Sequence, residues 1–223
     1  MTMIPDHLEA VRERMLRASL KAGRRADEVR LVAVSKKVDV DRIRSAAAAG
    51  VRDFGENYIQ EARGKIETLP DTLCWHMIGH LQMNKIKYVP RLFDYVHSVD
   101  REEVLNGLEK LGKPLSLLFE VNLSGETQKH GTAVDGLKRM LENVGSLTNV
   151  KPVGLMTMAP YSDNPKEVRH LFAGLRRLLE EVNRQFLLEM KELSMGMSSD
   201  FEVAIEEGAT MVRIGTALFG ERI

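Results

Sequence analysis

The feature that most restricts how this chain can fold is a strict alternation of short apolar runs with longer amphipathic segments. The runs are typical of strands buried on both faces, and the segments carry apolar residues at helical spacing. Eight runs occur, at residues 31–34, 51–54, 73–78, 95–99, 115–121, 151–156, 192–194 and 211–214. A helix is predicted after each run, and a further helix is predicted ahead of the first, over residues 6–22.

Repeated alternation of strand and helix predicts a parallel sheet with right-handed crossovers. Eight such units indicate an α/β fold closed into a single (β/α)8 TIM-type barrel. The alternative is an open, doubly wound sheet. It is less favoured because the units are nearly equal in length and no Gly-rich fingerprint opens the chain. We therefore expect one domain over residues 1–223.

The composition argues against several classes of partner. Lysine and arginine together number 32, as do aspartate and glutamate, so the net charge favours neither nucleic acid nor an anionic membrane. Cys74 is the single cysteine, which excludes an internal disulfide and fits a reducing compartment. No apolar stretch approaches the ~20 residues of a membrane span, and the N-terminus does not resemble a signal peptide. We expect a cytoplasmic monomer.

Two turns after the last two predicted strands have the composition of a phosphate-binding site. Barrels of this kind bind ligands beyond the C-terminal ends of their strands, and phosphate is often held after strands seven and eight. Gly196 permits close backbone approach, and Ser198 and Ser199 offer hydroxyls beside a predicted helix start. Gly215 and Thr216 repeat the arrangement at the last helix. Ordinary helix capping by Ser198 and Thr216 also explains each turn singly, and this alternative stays open.

A lysine follows the first predicted strand. Lys36 would face the barrel mouth, where partial desolvation lowers the pKa of an amine and suits it to Schiff-base formation. Strand alternation does not distinguish Lys36 from Lys37, because the residues in phase with either of them are apolar. On position alone, a surface lysine in a loop is the alternative interpretation.

Arg213 interrupts the apolar run of the last predicted strand. Its guanidinium could bind phosphate or a ring nitrogen, and a salt bridge at the barrel rim is the third alternative. Because arginine only donates hydrogen bonds, a pyridine nitrogen that faces it would stay unprotonated. An unprotonated pyridine is a weaker electron sink, which disfavours deep carbanion chemistry.

The remaining motifs carry less information. His76 and His80 are four residues apart, but the strand pattern around them and the lack of an evident third ligand argue against a metal site. No P-loop, dinucleotide fingerprint or nucleophile elbow is present. The polar loop at residues 122–132 is interpreted as either a lid or a solvated loop.

Six stretches of the chain together resemble the pyridoxal phosphate homeostasis protein family, the YggS-like or PROSC-like proteins. They are AVSK at 33–36, FGENYIQEA at 54–62, WHMIGHLQMNK at 75–85, GLMTM at 154–158, LSMGMSSD at 193–200 and MVRIGTALFG at 211–220. These stretches are distributed over nearly the whole chain. The resemblance implies a barrel like the N-terminal domain of alanine racemase (fold type III), with pyridoxal phosphate carried on a lysine.

The resemblance also implies roles for individual residues. It assigns the Schiff base to Lys36 rather than Lys37, and contact with the ring nitrogen to Arg213. It implies phosphate contacts at Ser198, Ser199, Gly215 and Thr216, and a lining of the pocket by Asn57, His76 and Met156.

Members of the resembled family are viewed as cofactor binders without established catalysis. They buffer and deliver the vitamin B6 pool and influence amino-acid metabolism. By resemblance we expect this chain to hold pyridoxal 5'-phosphate and to make transient contact with apo-enzymes that use it. The alternative is a racemase-like enzyme. In related racemases a second base comes from an extra β-domain, and because this sequence ends at Ile223 we expect that domain to be missing.

Overall fold

The chain forms a closed barrel of eight parallel strands that pair in sequence order. The computed structural model describes residues 4–126 and 130–221. Its strands are β1 (Arg30–Val34), β2 (Asp53–Glu56), β3 (Cys74–Met77), β4 (Tyr95–Val99), β5 (Leu115–Glu120), β6 (Val150–Met156), β7 (Glu192–Ser194) and β8 (Met211–Ile214). Pairing of β1 with β8 closes the barrel. The predicted (β/α)8 barrel is confirmed, and the open doubly wound sheet is excluded.

Helices connect the strands and cover the outside of the barrel. They are α1 (Ile4–Lys21) ahead of β1, then α2 (Val40–Ala48), α3 (Ile59–Ile66), α4 (Val89–Leu92), α5 (Glu102–Glu109), α6 (Val134–Glu142), α7 (Arg169–Phe186), α8 (Phe201–Glu206) and α9 (Thr216–Phe219). Helix α1 packs against α8 and α9. Within residues 4–126 and 130–221, no helix combines the length and the apolar character needed to cross a bilayer.

Strand β2 and helix α8 differ from their predicted bounds near the barrel mouth. Strand β2 begins and ends two residues later than predicted, so Gly55 and Glu56 belong to the strand. Helix α8 begins at Phe201 rather than at residue 199, because residues 198–200 form a turn. The Asp200 carboxylate accepts a hydrogen bond from the Met197 N–H at 2.6 Å, which stabilises this turn ahead of the helix.

The two faces of the barrel wall differ in character. The outer face packs apolar side chains against the helices. The interior includes four buried polar side chains on four strands: His76, His97, Ser194 and Arg213. His97 Nδ1 lies 2.9 Å from Ser194 Oγ, and because β4 and β7 are not neighbours this contact crosses the interior. The interior of such a barrel is usually filled by layers of branched aliphatic side chains, so four buried polar side chains there are unusual.

Candidate functional site

A cavity of about 510 Å³ opens at the C-terminal ends of β1, β7 and β8. Six residues singled out in the sequence line it: Lys36, Ser198, Ser199, Arg213, Gly215 and Thr216. We use the name cup for four of these residues: Ser198, Ser199, Gly215 and Thr216. The barrel thus brings a lysine from the first strand–helix loop into one cavity with the arginine and the cup from the last two units.

The two halves of the cup are joined by a hydrogen bond. The Ala217 N–H donates to Ser198 Oγ at 3.2 Å. Helix capping therefore explains part of the arrangement, since Ser198 satisfies an amide in the first turn of α9 from a different loop. Gly215 occupies the N-cap position of α9, so Thr216 does not cap that helix. The Thr216 side chain is exposed at the cavity.

The structure distinguishes Lys36 from Lys37. Val32 pairs with Arg213 in the register of β1 and β8, and the residues in phase with Val32, namely Val34 and Lys36, line the cavity beside Arg213. Lys36 is partly buried, whereas Lys37 is exposed and is not a lining residue. The Lys37 backbone takes a positive φ of 58°. Strand alternation could not decide between the two because both faces of a barrel strand are buried.

A buried ion pair supports the segment that carries Lys36. Lys65 Nζ lies 2.8 Å from Glu56 Oε1 and donates to the Ser35 carbonyl at 2.6 Å. Ser35 Oγ donates to the same carboxylate oxygen at 2.7 Å. Burial raises the pKa of Glu56, against the stabilising bonds from Lys65 and Ser35. Sequence reasoning missed Glu56 and Lys65, although a lysine and a glutamate in successive elements were the available signal.

Arg213 is 4% exposed and is held by neutral groups. Its Nη1 donates to Ser194 Oγ at 2.7 Å, and its Nη2 donates to the Thr157 carbonyl at 2.9 Å. Burial lowers the pKa of Arg213 to about 10, while Glu120 and Asp200 act in the opposite direction. The guanidinium therefore stays protonated at neutral pH. Among the described residues it makes no salt bridge within 4.0 Å, so the rim ion pair considered from the sequence is not formed.

Glu120, at the end of β5, is the most strongly perturbed carboxyl near the cavity. Burial raises its pKa to about 7, and Asp100 adds to the increase while Arg213 opposes it. The residue lines a second cavity of about 330 Å³, together with Asn57, His80 and others. Glu120 therefore changes charge near physiological pH at the barrel mouth.

Glu120→Gln is expected to gain stability relative to the wild-type protein as the pH rises from about 5 to about 8. In the wild type, the unfolded chain loses this proton near the ordinary pKa of 4.5, whereas the folded state keeps it up to about pH 7. Between these values the unfolded state binds fewer protons, so the free energy of unfolding falls as pH rises. Urea unfolding of both proteins across this range measures the difference, and a difference that does not change with pH would contradict the assignment.

Three other residues assigned by resemblance lie elsewhere. Asn57 lines the second cavity, and its Oδ1 is buried without a hydrogen-bond partner. Met156 is fully buried at the end of β6, and His76 is fully buried in the barrel interior. None of the three lines the cavity that contains Lys36 and Arg213.

Two groups of potential metal ligands occur among the described residues, Asp53, Cys74 and His76 at the base of the barrel and His80, Asp100 and His130 at its mouth. In the first group burial raises the pKa of the Cys74 thiol, and the thiolate is the form that binds metals. In the second, one potential ligand atom from each residue lies within 4.8 Å of the others, and the His80 and His130 rings are stacked at 4.4 Å with 17° between their planes. His76 and His80 belong to different groups.

Comparison with known proteins assigns the chain to a family. The family model for alanine racemase, N-terminal domain, matches residues 7–223. A pyridoxal phosphate homeostasis protein of Aquifex aeolicus is 44% identical over 222 residues, which cover 97% of each chain. Among solved structures, PipY of Synechococcus elongatus with PLP bound is similar with a TM-score of 0.86 and 37% identity, over 98% of this chain and 100% of that one.

The fold extends to a more distant group of structures. Alanine racemase from Corynebacterium glutamicum aligns with a TM-score of 0.73 over 96% of this chain and 61% of that one. The identity is 17%, so the similarity concerns the fold alone.

Proposed function

The chain belongs to the alanine racemase N-terminal domain family, and within it to the pyridoxal phosphate homeostasis proteins, and from this membership we propose that it holds pyridoxal phosphate and takes part in vitamin B6 homeostasis. In this proposal Lys36 carries the cofactor as a Schiff base, the cup binds its phosphate, and Arg213 contacts its ring nitrogen. Residues 1–223 then form one cofactor-binding domain.

One observation carries the proposal: the lysine, the cup and the arginine line the same cavity. Pyridoxal phosphate presents an aldehyde, a phosphate and a pyridine nitrogen, and each has a matching group among these residues. The lysine amine is a nucleophile for an aldehyde. Hydroxyls and backbone amides of the cup suit a phosphate. A volume of about 510 Å³ is within the usual range for small-molecule sites.

The chemistry of Lys36 and Arg213 also favours binding of the cofactor over catalysis with it. The Lys36 amine would condense with the aldehyde and release one water molecule, and this step is reversible, which would suit storage and release. Arg213 only donates, so it keeps a facing pyridine nitrogen unprotonated. When bound, the cofactor would supply an electron-withdrawing ring, and donation from Arg213 leaves that ring a weak electron sink.

We propose that the protein acts as a carrier and not as an enzyme. The relatives are named for homeostasis and match over nearly their whole length. In this proposal the chain works as a cytoplasmic monomer, hands cofactor to apo-enzymes through transient contacts, and so influences amino-acid metabolism. Racemase-type activity is the alternative, and it requires acid and base groups on both faces of the cofactor. Turnover of alanine or another amino acid well above that of the free cofactor would favour the enzyme.

The decisive experiment is a titration of the purified protein with pyridoxal phosphate. We expect a visible absorption band that the free cofactor lacks, lost on reduction with borohydride. Peptide mass analysis should then find the reduced adduct on Lys36. A protein that stays colourless after incubation would overturn the proposal. Incubation of the loaded protein with an apo-enzyme tests delivery, and activation faster than spontaneous release is the expected result.

A further inference from the structure

A continuous chain of five polar side chains crosses the barrel interior and ends on Arg213. Asp53 Oδ1 lies 3.0 Å from His76 Nε2, and His76 Nδ1 lies 2.9 Å from His97 Nε2. His97 Nδ1 lies 2.9 Å from Ser194 Oγ, which accepts from Arg213 Nη1 at 2.7 Å. We call these five residues the interior chain.

The interior chain is fully enclosed over most of its length. His76, His97 and Ser194 have no exposed surface, and Arg213 has 4%. Unpaired polar groups at such depth would cost several kcal/mol in total, whereas a fully paired network fixes a unique geometry. At the far end, Asp53 is partly exposed and lies 3.8 Å from Arg30 Nε, so it is accompanied by a positive charge. The interior chain thus connects the base of the barrel with the cavity.

The two ends of the interior chain fix every proton within it. Arg213 can only donate, so Ser194 Oγ accepts from it. The Asp53 carboxylate can only accept, so His76 must donate from Nε2. A neutral His76 then accepts at Nδ1, which makes His97 a donor at Nε2 and an acceptor at Nδ1. The Ser194 hydroxyl proton therefore points to His97.

The electrostatic surroundings keep both imidazoles neutral. Burial lowers the pKa of His76, and Asp53 opposes this effect only in part. Burial also lowers the pKa of His97 well below its ordinary value, and His76 and Arg213 add to the decrease. With both rings neutral, a single arrangement of protons satisfies all four contacts.

We propose that the interior chain is a positioning device for Arg213, in which Ser194, held by His97, His76 and Asp53, fixes the orientation of the guanidinium toward the ring-nitrogen side of the cavity. Ser194 is then a positioning residue for the ligand contact and does not itself line the cavity. This inference rests on the proposed function for the identity of the ligand. The geometry of the interior chain can be measured without any ligand.

The first measurement uses the cofactor-free protein. We expect nitrogen NMR of the ring nitrogens at neutral pH to show His76 and His97 protonated at Nε2 and unprotonated at Nδ1. Restricted rotation should give separate Nη signals for Arg213. These signals should average in Ser194→Ala and stay separate in Ser98→Ala. Rings protonated at Nδ1, or averaged Arg213 signals in the wild type, would overturn the inference.

Ser98 is the matched control because it is also fully buried in a strand and donates one hydrogen bond, to the Gly79 carbonyl at 2.7 Å, outside the interior chain. Ser194→Ala is expected to bind pyridoxal phosphate about tenfold more weakly than the wild type, the scale of one hydrogen bond to a charged group. Ser98→Ala should bind like the wild type, and Ser194→Thr should recover affinity because it keeps the hydroxyl.

The two measurements separate the inference from the proposed function. A wild-type protein that binds no pyridoxal phosphate removes the proposed function, while the separate Arg213 signals and their loss in Ser194→Ala still support the positioning role. Wild-type affinity in Ser194→Ala overturns the positioning role, whatever the ligand contributes elsewhere. If Ser194→Ala does not fold, the ring tautomers and Arg213 signals of the wild type decide.

Discussion

Lys36→Ala is expected to abolish the visible band of the bound cofactor and to leave no adduct after borohydride reduction. The reason is positional: Lys36 lines the cavity together with the cup and Arg213. Affinity should fall by at least about a hundredfold, which corresponds to ~3 kcal/mol, because the remaining contacts bind without a covalent link. Spectroscopic titration and intact mass measurement check both effects.

Lys37→Ala is the matched control for that substitution. Lys37 is the same residue type one position along the chain, but it is exposed and does not line the cavity. We expect it to keep the band, the adduct and the wild-type affinity. If Lys37→Ala lost the band and Lys36→Ala kept it, the assignment of the anchoring lysine would be wrong. Loss in both variants would indicate a general disturbance of the loop after β1.

Gly196→Ala is expected to lower the free energy of unfolding by roughly 3 kcal/mol or more and to weaken cofactor binding. Gly196 has φ +89°, a backbone conformation that residues other than glycine rarely adopt. A Cβ there would lie 2.5 Å from the Ala204 Cβ and 2.9 Å from the Phe201 Cα, so helix α8 would have to move. The Gly196 carbonyl also accepts from the Arg213 N–H at 3.0 Å, which ties this turn to β8. Urea unfolding and cofactor titration measure the two effects.

Gly23→Ala separates backbone strain from steric conflict. Gly23 also has a positive φ, +67°, but a Cβ there would meet nothing within 4 Å. We expect it to lose only about 1 kcal/mol, the cost of the left-handed conformation, and to bind cofactor normally. Equal losses in Gly23→Ala and Gly196→Ala would show that crowding at α8 contributes nothing.

The barrel could be predicted from sequence because its signal is repeated. Eight apolar runs alternate with amphipathic segments, so an error of two residues in β2 does not change the count or the order of the strands. The sequence predicts that α8 begins at Ser199, but the helix begins at Phe201. The difference arises because the Asp200 carboxylate accepts a hydrogen bond from the Met197 N–H and stabilises a turn ahead of the helix. Local competition between a side chain and the backbone is poorly visible in a sequence.

The cavity could be predicted in part and the interior chain could not. Glycine and serine after the last two strands marked the cup, because such turns have a recognisable composition. The choice between Lys36 and Lys37 needed the family resemblance, since alternation is uninformative where both faces are buried. Asp53, His97 and Ser194 lie in three separate strands, and only the closed barrel joins them, through His76, into one series of hydrogen bonds. An unexpected polar residue within an apolar run was the available signal.

The pairing of β1 with β8 has a consequence for how the protein folds and loads. The cavity lies across the seam where the first and last strands meet, with Lys36 on one side and the cup on the other. These are contacts of long sequence separation, and we expect them to form late in folding because the intervening chain must first bring its ends together. A ligand that contacts both sides binds only the closed barrel and so stabilises it by mass action. A bound cofactor would then hold the first and last strands together, and cofactor binding would show that β8 has paired with β1.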